Sequence, residues 1–424
     1  MSDQLQRIRI IDIVRGVAVL GIFAINAADM AYPQDLVLDF HLTGISDSRD
    51  SYVAVAFEVL FAGKMRGLFT LLFGVSSVLI IDRLMVRKGG PAAAALYCRR
   101  LAWLAVFGLL NAYILLWWGD VLFKYALLGI LLLPLGRASS RVLIAAILGC
   151  LAFLTLKPYL EYRDAVDIER QYLHLQGQGD GHATGLTAEE IVEDWQYLLA
   201  DATADEAWTE AELEVKAGGY RGIFRYNVPM AVEEQTSIFL AEDVWDMLPY
   251  MLLGILLLRA GFFGNQFSRR RHLLVASVGI GLGLAIHLWM NVGLFVHSED
   301  PVRSLLYPVF FDLGRLPLVA GYASLIILVF RVELARLAGN WMAAVGRMAL
   351  SNYLLQSIVG ALVFYGFGLA QFNQFSRTDL AGFILVVWIF QIVFSIAWMR
   401  WFYLGPAEWL WRSLTYWQAQ PFRR

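Results

Sequence analysis

Long apolar runs recur along almost the whole chain, and charged or polar residues separate them. A helix needs about 20 apolar residues to cross the hydrocarbon core of a bilayer, so these runs predict membrane-spanning helices. The sequence lacks the alternating polar and apolar decapeptides of a membrane β-barrel. The pattern predicts an all-α polytopic membrane protein with about ten transmembrane helices, at 13–30, 62–82, 101–118, 121–136, 141–158, 238–258, 273–296, 305–330, 348–370 and 380–400.

The composition agrees with this prediction, because 59% of the residues are hydrophobic and only 17% are charged. One stretch differs from the rest. Residues 161–237 carry 17 acidic and 5 basic residues, whereas the whole chain has a net charge of −2. We therefore divide the chain into an N-terminal five-helix transmembrane half (1–160), an acidic helical insert (161–237), a C-terminal five-helix transmembrane half (238–400) and an amphipathic tail (401–424).

The acidic insert contains its own helix signals. Thr187 and Glu190 have the spacing of a capping box, and the apolar residues that follow repeat with helical periodicity. Gly218 and Gly219 are expected to end a second helix. The insert is interpreted as a small solvated helical cap or, alternatively, as a lid or docking surface for an envelope protein partner.

The distribution of Lys and Arg predicts the orientation in the membrane. Basic residues are concentrated after the second and sixth predicted helices and in the tail, whereas the linkers after helices one, three, seven and nine hold one or none. Loops rich in Lys and Arg normally face the cytoplasm. Both termini are therefore predicted to be cytoplasmic, with the insert outside and the tail helix in the cytoplasmic interface.

Several classes of partner are excluded or implied by the same sequence. Cys98 and Cys150 are isolated and the His residues lack zinc-type spacing, so no metal site is predicted. The basic residues are dispersed over loops, which excludes nucleic acid as a partner. Membrane lipid is the partner that the composition itself implies.

The first predicted helix carries three polar residues within an apolar segment: Asp12, Arg15 and Asn26. Their spacing places them on one face of the helix. A charge within a bilayer is costly and normally faces a bundle interior or a water-filled cavity. The sequence thus predicts a polar groove in which Asp12 and Arg15 pair.

Charges also lie at the ends of two other helices. Lys64 and Arg66 either extend to lipid headgroups or form an anion clamp for a phosphate or carboxylate. Asp120 follows Trp118-Gly119 in a tight turn. It can pair with Lys124 four residues later, or point into the bundle and hold an acceptor hydroxyl or a proton.

The ninth predicted helix follows Arg347 and presents the amides of Asn352 and Gln356 on one stripe. Buried amides need hydrogen-bond partners, so this stripe must meet another polar helix.

Helical spacing predicts two further ion pairs, Asp312 with Arg315 and Glu408 with Arg412. His287 stands alone in an apolar helix and is interpreted as a packing residue.

These motifs together resemble the YeiB-like family of bacterial inner-membrane proteins, a domain of unknown function. The resemblance covers nearly the whole chain. It rests on Asp12-x-x-Arg15-Gly16 with Asn26, Gly63-Lys64-Met65-Arg66-x-Leu68-Phe69, Trp118-Gly119-Asp120, Gly346-Arg347-Met348-Ala349-Leu350-Ser351-Asn352 with Gln356, and Gly405-Pro406-x-Glu408-Trp409. It implies a location in the bacterial inner membrane.

A more distant resemblance is to transmembrane acyltransferases. The type-three family has an Arg, ten residues and a His in its first helix, and this chain has Arg15, ten residues and Asn26. The lysosomal heparan glucosaminide acetyltransferases begin with Asp-x-x-Arg-Gly and an Asn, with the active His in the next loop. That resemblance implies that His41 is the base.

The function predicted is a transmembrane acyltransferase that passes an acyl group from a cytoplasmic donor such as acyl-CoA to an extracytoplasmic glycan, lipid or small-molecule acceptor. Arg15 would hold the donor, Asp12 would fix Arg15, His41 would be the general base and Asn26 would stabilise the oxyanion. The substrate contacts would come from Lys64, Arg66, Asp120, Arg347, Asn352 and Gln356. The alternatives are a transporter for a small anionic or lipid-like solute and a structural subunit of an envelope complex.

Overall fold

The computed structural model describes residues 3–37, 48–177, 187–202, 205–296 and 300–424. Within these ranges the chain is helical and contains no β-strand. The first part of the chain forms seven helices: α1 (Asp3–Ala31), α2 (Gln34–Val37), α3 (Ser48–Leu60), α4 (Lys64–Lys88), α5 (Gly90–Leu109), α6 (Leu122–Leu135) and α7 (Ser140–Leu175). A π-helical turn, Leu110–Ile114, continues α5.

The acidic insert contributes three helices: α8 (Ala188–Ala202), α9 (Glu206–Ala217) and α10 (Tyr220–Gln235). The C-terminal part adds α11 (Val244–Arg259), α12 (Arg269–Val296), α13 (Pro301–Ser304), α14 (Phe311–Phe330), α15 (Arg336–Arg347), α16 (Ala349–Phe364), α17 (Arg377–Trp401) and α18 (Pro406–Tyr416). A second π-helical turn, Phe239–Asp243, precedes α11.

The chain is a multi-pass membrane protein. Seven stretches of the described residues are long and apolar enough to cross a membrane: Arg9–Ala31, Arg49–Lys88, Gly90–Ile114, Ser140–Leu175, Arg269–Leu294, Pro301–Phe330 and Arg377–Trp401. An eighth is reached if Glu333–Arg347 and Ala349–Phe364, bent by 76°, form one broken span. The predicted count of about ten is not confirmed, because α6 has 14 residues and α11 has 16, which is short for a spanning helix.

Close backbone contact fixes α1 against α15. Gly16 and Gly346 lie at the crossing, and a Cβ on either one would overlap a main-chain oxygen of the other helix, that of Met342 or Asp12. Small residues allow helix backbones to approach in a membrane, where van der Waals contact drives helix association. This contact holds Asp12 and Arg15 beside the α15–α16 bend.

The two ends of the bundle differ in chemistry. The arginine end is the end that carries Arg83 and Arg100, and the turn end is the end that carries the turn at Leu116–Asp120. At the turn end Asn227 of α10 donates to the main-chain oxygen of Leu116 at 2.9 Å. The insert therefore packs against the turn end.

The local signals predicted in the insert are present. Thr187 and Glu190 form the reciprocal bonds of a capping box, at 2.7 and 3.3 Å, and α9 ends before Gly218. Lys216 is buried, donates to Asn227 Oδ1 at 2.8 Å and lies 4.7 Å from the ring centre of Tyr365. Since Tyr365 follows α16, this contact joins the insert to the bundle.

Candidate functional site

A cavity of about 310 Å³ lies between α1, α4, α5, α6, the α15–α16 bend and α18. We call it the arginine cavity. Its polar lining consists of Asp12, Arg15, Ser76, Ser77, Arg83, Tyr97, Arg100, Tyr125, Arg347, Tyr353 and Glu408. Leu, Ile, Phe, Ala, Gly and Trp residues form the rest of the wall.

The guanidinium group of Arg15 contacts two side chains at this cavity. Its Nη1 atom lies 2.9 Å from Oδ1 of Asp12, and its Nη2 atom donates to Ser76 Oγ at 2.8 Å. The Asp12–Arg15 pair predicted from the sequence is therefore present. The side chains of Arg15 and Asp12 are 23% and 15% exposed, so the pair faces the cavity rather than the packed core.

Three more arginines line the cavity: Arg83, Arg100 and Arg347. In the described part of the chain none of them forms an ion pair. Arg100 lies instead against the ring of Trp411, with 3.5 Å between the guanidinium carbon and the ring centre. The arginine end of the cavity thus carries an excess of positive charge.

The carboxylate of Glu408 does not neutralise these arginines. Its Oε1 accepts from the main-chain N–H groups of Leu350 and Ser351 at 2.7 and 3.1 Å, at the first turn of α16. The predicted Glu408–Arg412 pair is wrong, because the free N–H groups of this helix start are the better partners of a buried carboxylate. Burial raises the pKa of Glu408.

The cavity is elongated along α4. On α4 its lining extends from Phe69 to Arg83, which is about 21 Å along a helix axis. The wall between these positions is mostly apolar, with Phe73, Ile80 and Leu101 among its residues. The cavity therefore combines a cationic end with an elongated, mostly apolar wall.

Two tyrosines close the inner part of the cavity. The Tyr125 hydroxyl shares a hydrogen bond of 2.6 Å with Thr70, and the Tyr353 hydroxyl lies 3.4 Å from Asp120 Oδ2. Asp120 is fully buried and also accepts from Asn111 Nδ2 at 2.8 Å. Burial raises the pKa of Asp120 to about 7.

The predicted Asp120–Lys124 pair is not formed. Asp120 Oδ1 accepts from the main-chain N–H of Phe123 at 3.0 Å, in the first turn of α6. Lys124 forms ion pairs with Glu234 and Asp243 instead. The carboxylate is satisfied by donors of the helix start and of Asn111, so the lysine pairs with carboxylates near the start of α11.

Lys64 and Arg66 lie outside the arginine cavity. The ammonium of Lys64 donates to the main-chain oxygen of Glu58 at 2.9 Å, and the side chain is fully buried. Arg66 lies 2.9 Å from Asp246 and 3.8 Å from Asp243. The anion clamp expected from these two residues is therefore not assembled, because both cations already have oxygen partners.

The predicted Asp312–Arg315 ion pair is present, and Arg315 also pairs with Asp246. Together with Arg66 and Lys124 these residues form a separate ion network near the start of α11.

The amides of Asn352 and Gln356 face another helix rather than the cavity. Asn352 donates to Ser395 Oγ at 3.0 Å, and Gln356 donates to Gln391 Oε1 at 3.1 Å and to the main-chain oxygen of Val19 at 2.9 Å. These bonds tie α16 to α17 and α1.

The remaining catalytic candidates are not brought to the arginines. Asn26 lies eleven residues after Arg15, about 16 Å further along α1, and does not belong to the cavity lining. His41 lies outside the described residues. Of the ten predicted site residues, Asp12, Arg15 and Arg347 line the cavity, and Asp120 lies directly behind Tyr353.

Sequence reasoning missed Arg83, Arg100, Tyr125, Tyr353 and Trp411. In the sequence, the arginines were used only to predict the orientation in the membrane. The aromatic residues could not be distinguished from residues that only pack in the core. One signal existed: Arg83 and Arg100 directly flank the apolar spans predicted at 62–82 and 101–118, so both stand at the same end of those two spans.

Comparison with known proteins agrees with the motifs. A family model described as a protein of unknown function (DUF418) matches residues 257–418. The chain is 29% identical to YeiB of Escherichia coli K12, with 97% of both chains covered. It is 27% identical to YxaH of Bacillus subtilis 168, with 99% of this chain and 96% of that one covered. The names of these relatives state no activity, and no solved structure matches the chain.

Proposed function

We propose that this chain, a member of the YeiB-like family of multi-pass membrane proteins, is an acyltransferase that binds its donor in the arginine cavity. The donor is an acyl compound with a multiply anionic headgroup, of which acyl-CoA is the leading example. The acceptor is a glycan, lipid or small molecule on the opposite side of the bacterial inner membrane.

The observation that carries this proposal is the excess of arginine at one end of an elongated, mostly apolar cavity. Arg83, Arg100 and Arg347 have no carboxylate partner in the described residues, and guanidinium groups bind phosphate oxygens in a bidentate manner. An apolar channel about 21 Å long accommodates one extended chain. A donor with phosphates at one end and an extended arm at the other matches both features.

The orientation of the site follows from the expected topology. The basic linkers predict that the arginine end faces the cytoplasm, where acyl-CoA is present. The channel then leads towards the turn end, where the acidic insert packs. An acceptor, and an envelope partner bound to residues 161–237, would approach from that side.

In the proposed reaction the acceptor hydroxyl or amine attacks the donor thioester carbonyl. The new bond to carbon forms, the carbon–sulfur bond breaks, and the proton of the acceptor is transferred to the base and then to the leaving thiolate. His41 is the proposed base and Asn26 the donor to the oxyanion. Arg15 contacts the donor headgroup, and Asp12 and Ser76 orient its guanidinium.

A transporter for an anionic, lipid-like solute is the second candidate. It is favoured by one observation: the described lining of the arginine cavity contains no His, and the carboxylates of Asp12 and Glu408 are both occupied. Such a cavity can bind an amphiphile without performing chemistry on it.

The first experiment measures binding of radiolabelled acetyl-CoA and palmitoyl-CoA to the purified full-length chain. Arg83→Gln and Arg347→Gln should each weaken binding by about 10- to 100-fold, since a hydrogen bond to a charged group contributes about 1.5–3 kcal/mol. Arg270→Gln, at an exposed basic position outside the cavity, is the matched control and should bind normally. Equal binding by all variants would contradict the donor site.

A second experiment separates the two candidates. Proteoliposomes are loaded inside with a mixture of amino- and hydroxyl-bearing glycans and given labelled acyl-CoA outside. Label that becomes covalently attached to the glycans supports the enzyme. Intact labelled amphiphile that accumulates in the lumen or the inner leaflet supports the transporter.

A further inference from the structure

A second cavity, of about 370 Å³, lies at the opposite end of α1 from Arg15. We call it the carboxylate cavity. It is formed by α1, α3 and α17, and its lining is Ala24, Ile25, Ala28, Asp29, Gln34, Val53, Ala54, Phe57, Glu58, Ala62, Arg377, Leu380 and Ala381. Ala28 lies thirteen residues after Arg15, about 20 Å along the helix, so the two cavities are distinct.

Two carboxylates, those of Asp29 and Glu58, line this cavity without a hydrogen-bonded or ion-paired partner among the described residues. Within the described residues neither Asp29 nor Glu58 accepts a side-chain hydrogen bond or forms an ion pair. The two groups are close enough to interact electrostatically. Both are surrounded by protein, and both keep some accessible surface at the cavity wall.

The nearest cations, Lys64 and Arg377, do not form ion pairs with Asp29 or Glu58 in the described residues, because each donates to a main-chain oxygen. Lys64 donates to the main-chain oxygen of Glu58, and its ammonium lies 5.3 Å from the ring centre of Phe311. Arg377 donates to the main-chain oxygen of Leu36 at 2.9 Å and stacks on Tyr32, with 4.1 Å to the ring centre. The carboxyl groups of Asp29 and Glu58 therefore remain available to a ligand, although Arg377 and Lys64 act on them at longer range.

Burying one carboxylate without a partner is costly, and burying two next to each other adds repulsion. Natural chains retain such groups within a membrane mainly where they serve a ligand or a permeation path. Apart from Gln34 and Arg377 the remaining wall is apolar, and it includes Phe57, an aromatic residue of the type that cations contact. The cavity is therefore complementary to a ligand with both a positive charge and an apolar body.

We infer that the carboxylate cavity binds a small organic cation, with its ammonium group between Asp29 and Glu58 and its apolar part against Ala24, Val53, Ala54, Phe57 and Leu380. A cavity of 370 Å³ is in the size range of small-molecule sites and much larger than a bare metal ion requires. This binding does not depend on the acyl-transfer proposal, because neither the ligand nor the residues are shared.

The test uses three probes of similar shape and different charge: 2-phenylethylammonium, 2-phenylethanol and 3-phenylpropionate. Binding to the full-length chain in detergent is measured by isothermal titration calorimetry. The ammonium probe should bind saturably, and the neutral and anionic probes should bind at least about 10-fold more weakly, which is a difference of about 1.4 kcal/mol.

The variants Asp29→Asn and Glu58→Gln should each weaken binding of the ammonium probe at least 10-fold, and the double variant should abolish it. Asp82→Asn, which removes an exposed carboxylate of α4 outside the cavity, is the control and should leave binding unchanged. Ala54→Leu fills the cavity without altering either carboxylate and should also abolish binding. It keeps the test informative if a carboxylate variant fails to fold.

Three results would overturn the inference. They are equal binding of the ammonium and the alcohol, unchanged binding in the double variant, and displacement of the ammonium probe by sodium at equal concentration. The first two would exclude charge recognition in this cavity, and the third would indicate a metal-ion site. None of them bears on acyl-CoA binding in the arginine cavity.

Discussion

The hydroxyl of Tyr353 lies 3.4 Å from Oδ2 of Asp120, and this contact connects the inner part of the arginine cavity with a fully buried carboxyl group. Tyr353 belongs to α16 and lines the cavity, whereas Asp120 belongs to the turn before α6. A group that exchanges a proton near neutral pH is thus one side chain away from the proposed donor channel.

Burial raises the pKa of Asp120 from its ordinary value of 3.8 to about 7. The folded state therefore binds this proton more tightly than the unfolded state, and stability falls as the pH rises from about 4 to about 7. Asp120→Asn removes the titration. The difference in free energy of unfolding between this variant and the native protein should therefore increase by up to about 4 kcal/mol between about pH 4 and about pH 7. At higher pH the difference should stay constant. Thermal unfolding in detergent at several pH values, with Asp82→Asn as the control, measures the difference.

Removing one partner of the Asp12–Arg15 pair should destabilise the fold more than removing both. Arg15→Ala leaves a carboxylate without its partner, at a cost of about 1.5–3 kcal/mol for a pair that is only partly buried. The double replacement with Asp12→Ala should recover part of that loss. Amounts of folded protein after extraction, followed by unfolding curves, test this expectation. Equal accumulation of the single variants and the native protein would show that the pair is solvated.

Gly346→Ala should separate α1 from α15, because the new Cβ would overlap the main-chain oxygen of Asp12. We expect a loss of about 1–3 kcal/mol in the free energy of unfolding. We also expect weaker acyl-CoA binding, since Arg15 and Arg347 move with these helices. Gly149→Ala is the matched control, because a Cβ there meets open space. Alanine favours a helix over glycine by up to about 1 kcal/mol, so this variant should be neutral or slightly stabilised.

His41→Ala should reduce acyl transfer by about 10²–10⁴-fold and leave donor binding nearly unchanged, because general-base catalysis typically contributes that factor. His287 is fully buried against Phe311, with 5.2 Å between the ring centres. His287→Ala should lower stability while the activity per folded molecule is retained. Full transfer by His41→Ala would remove this residue from the mechanism and direct attention to Asp120.

The orientation has its own test. Reporter fusions should be active on the cytoplasmic side after Arg424 and on the opposite side near Gly179, because the basic linkers predict cytoplasmic termini. The reverse pattern at either position would place the arginine end outside the cell. The arginine cavity would then be inaccessible to a cytoplasmic donor.

The sequence was sufficient to predict the features that depend on the spacing of nearby residues, namely the helices and the ion pairs within one helix. Each of the ten predicted spans overlaps a helix, although only seven or eight stretches of the described residues are long and apolar enough to cross a membrane. The Asp12–Arg15 and Asp312–Arg315 pairs, each three residues apart, are present. Helix formation and neighbouring pairs depend on residues within one or two turns, so the periodicity of the sequence is sufficient to find them.

Contacts between distant residues could not be predicted. Glu408 caps α16, 57 residues earlier in the chain, rather than pairing with Arg412. Lys124 reaches Glu234 and not Asp120. Spacing identifies which partners are within reach on one helix, but the choice among all partners depends on how the helices assemble. The position of Arg83 and Arg100 in one cavity was hidden for the same reason.

The position of α18 has a consequence for synthesis of the protein. Trp411 lies on Arg100 and donates to its main-chain oxygen at 2.8 Å, and Glu408 closes the start of α16. One wall of the arginine cavity is therefore translated after the helices that form its other walls. A nascent chain whose earlier helices are already in the bilayer has an open groove there and acquires a closed binding site only after α18 leaves the ribosome. The proposed donor site therefore depends on α18 being in place.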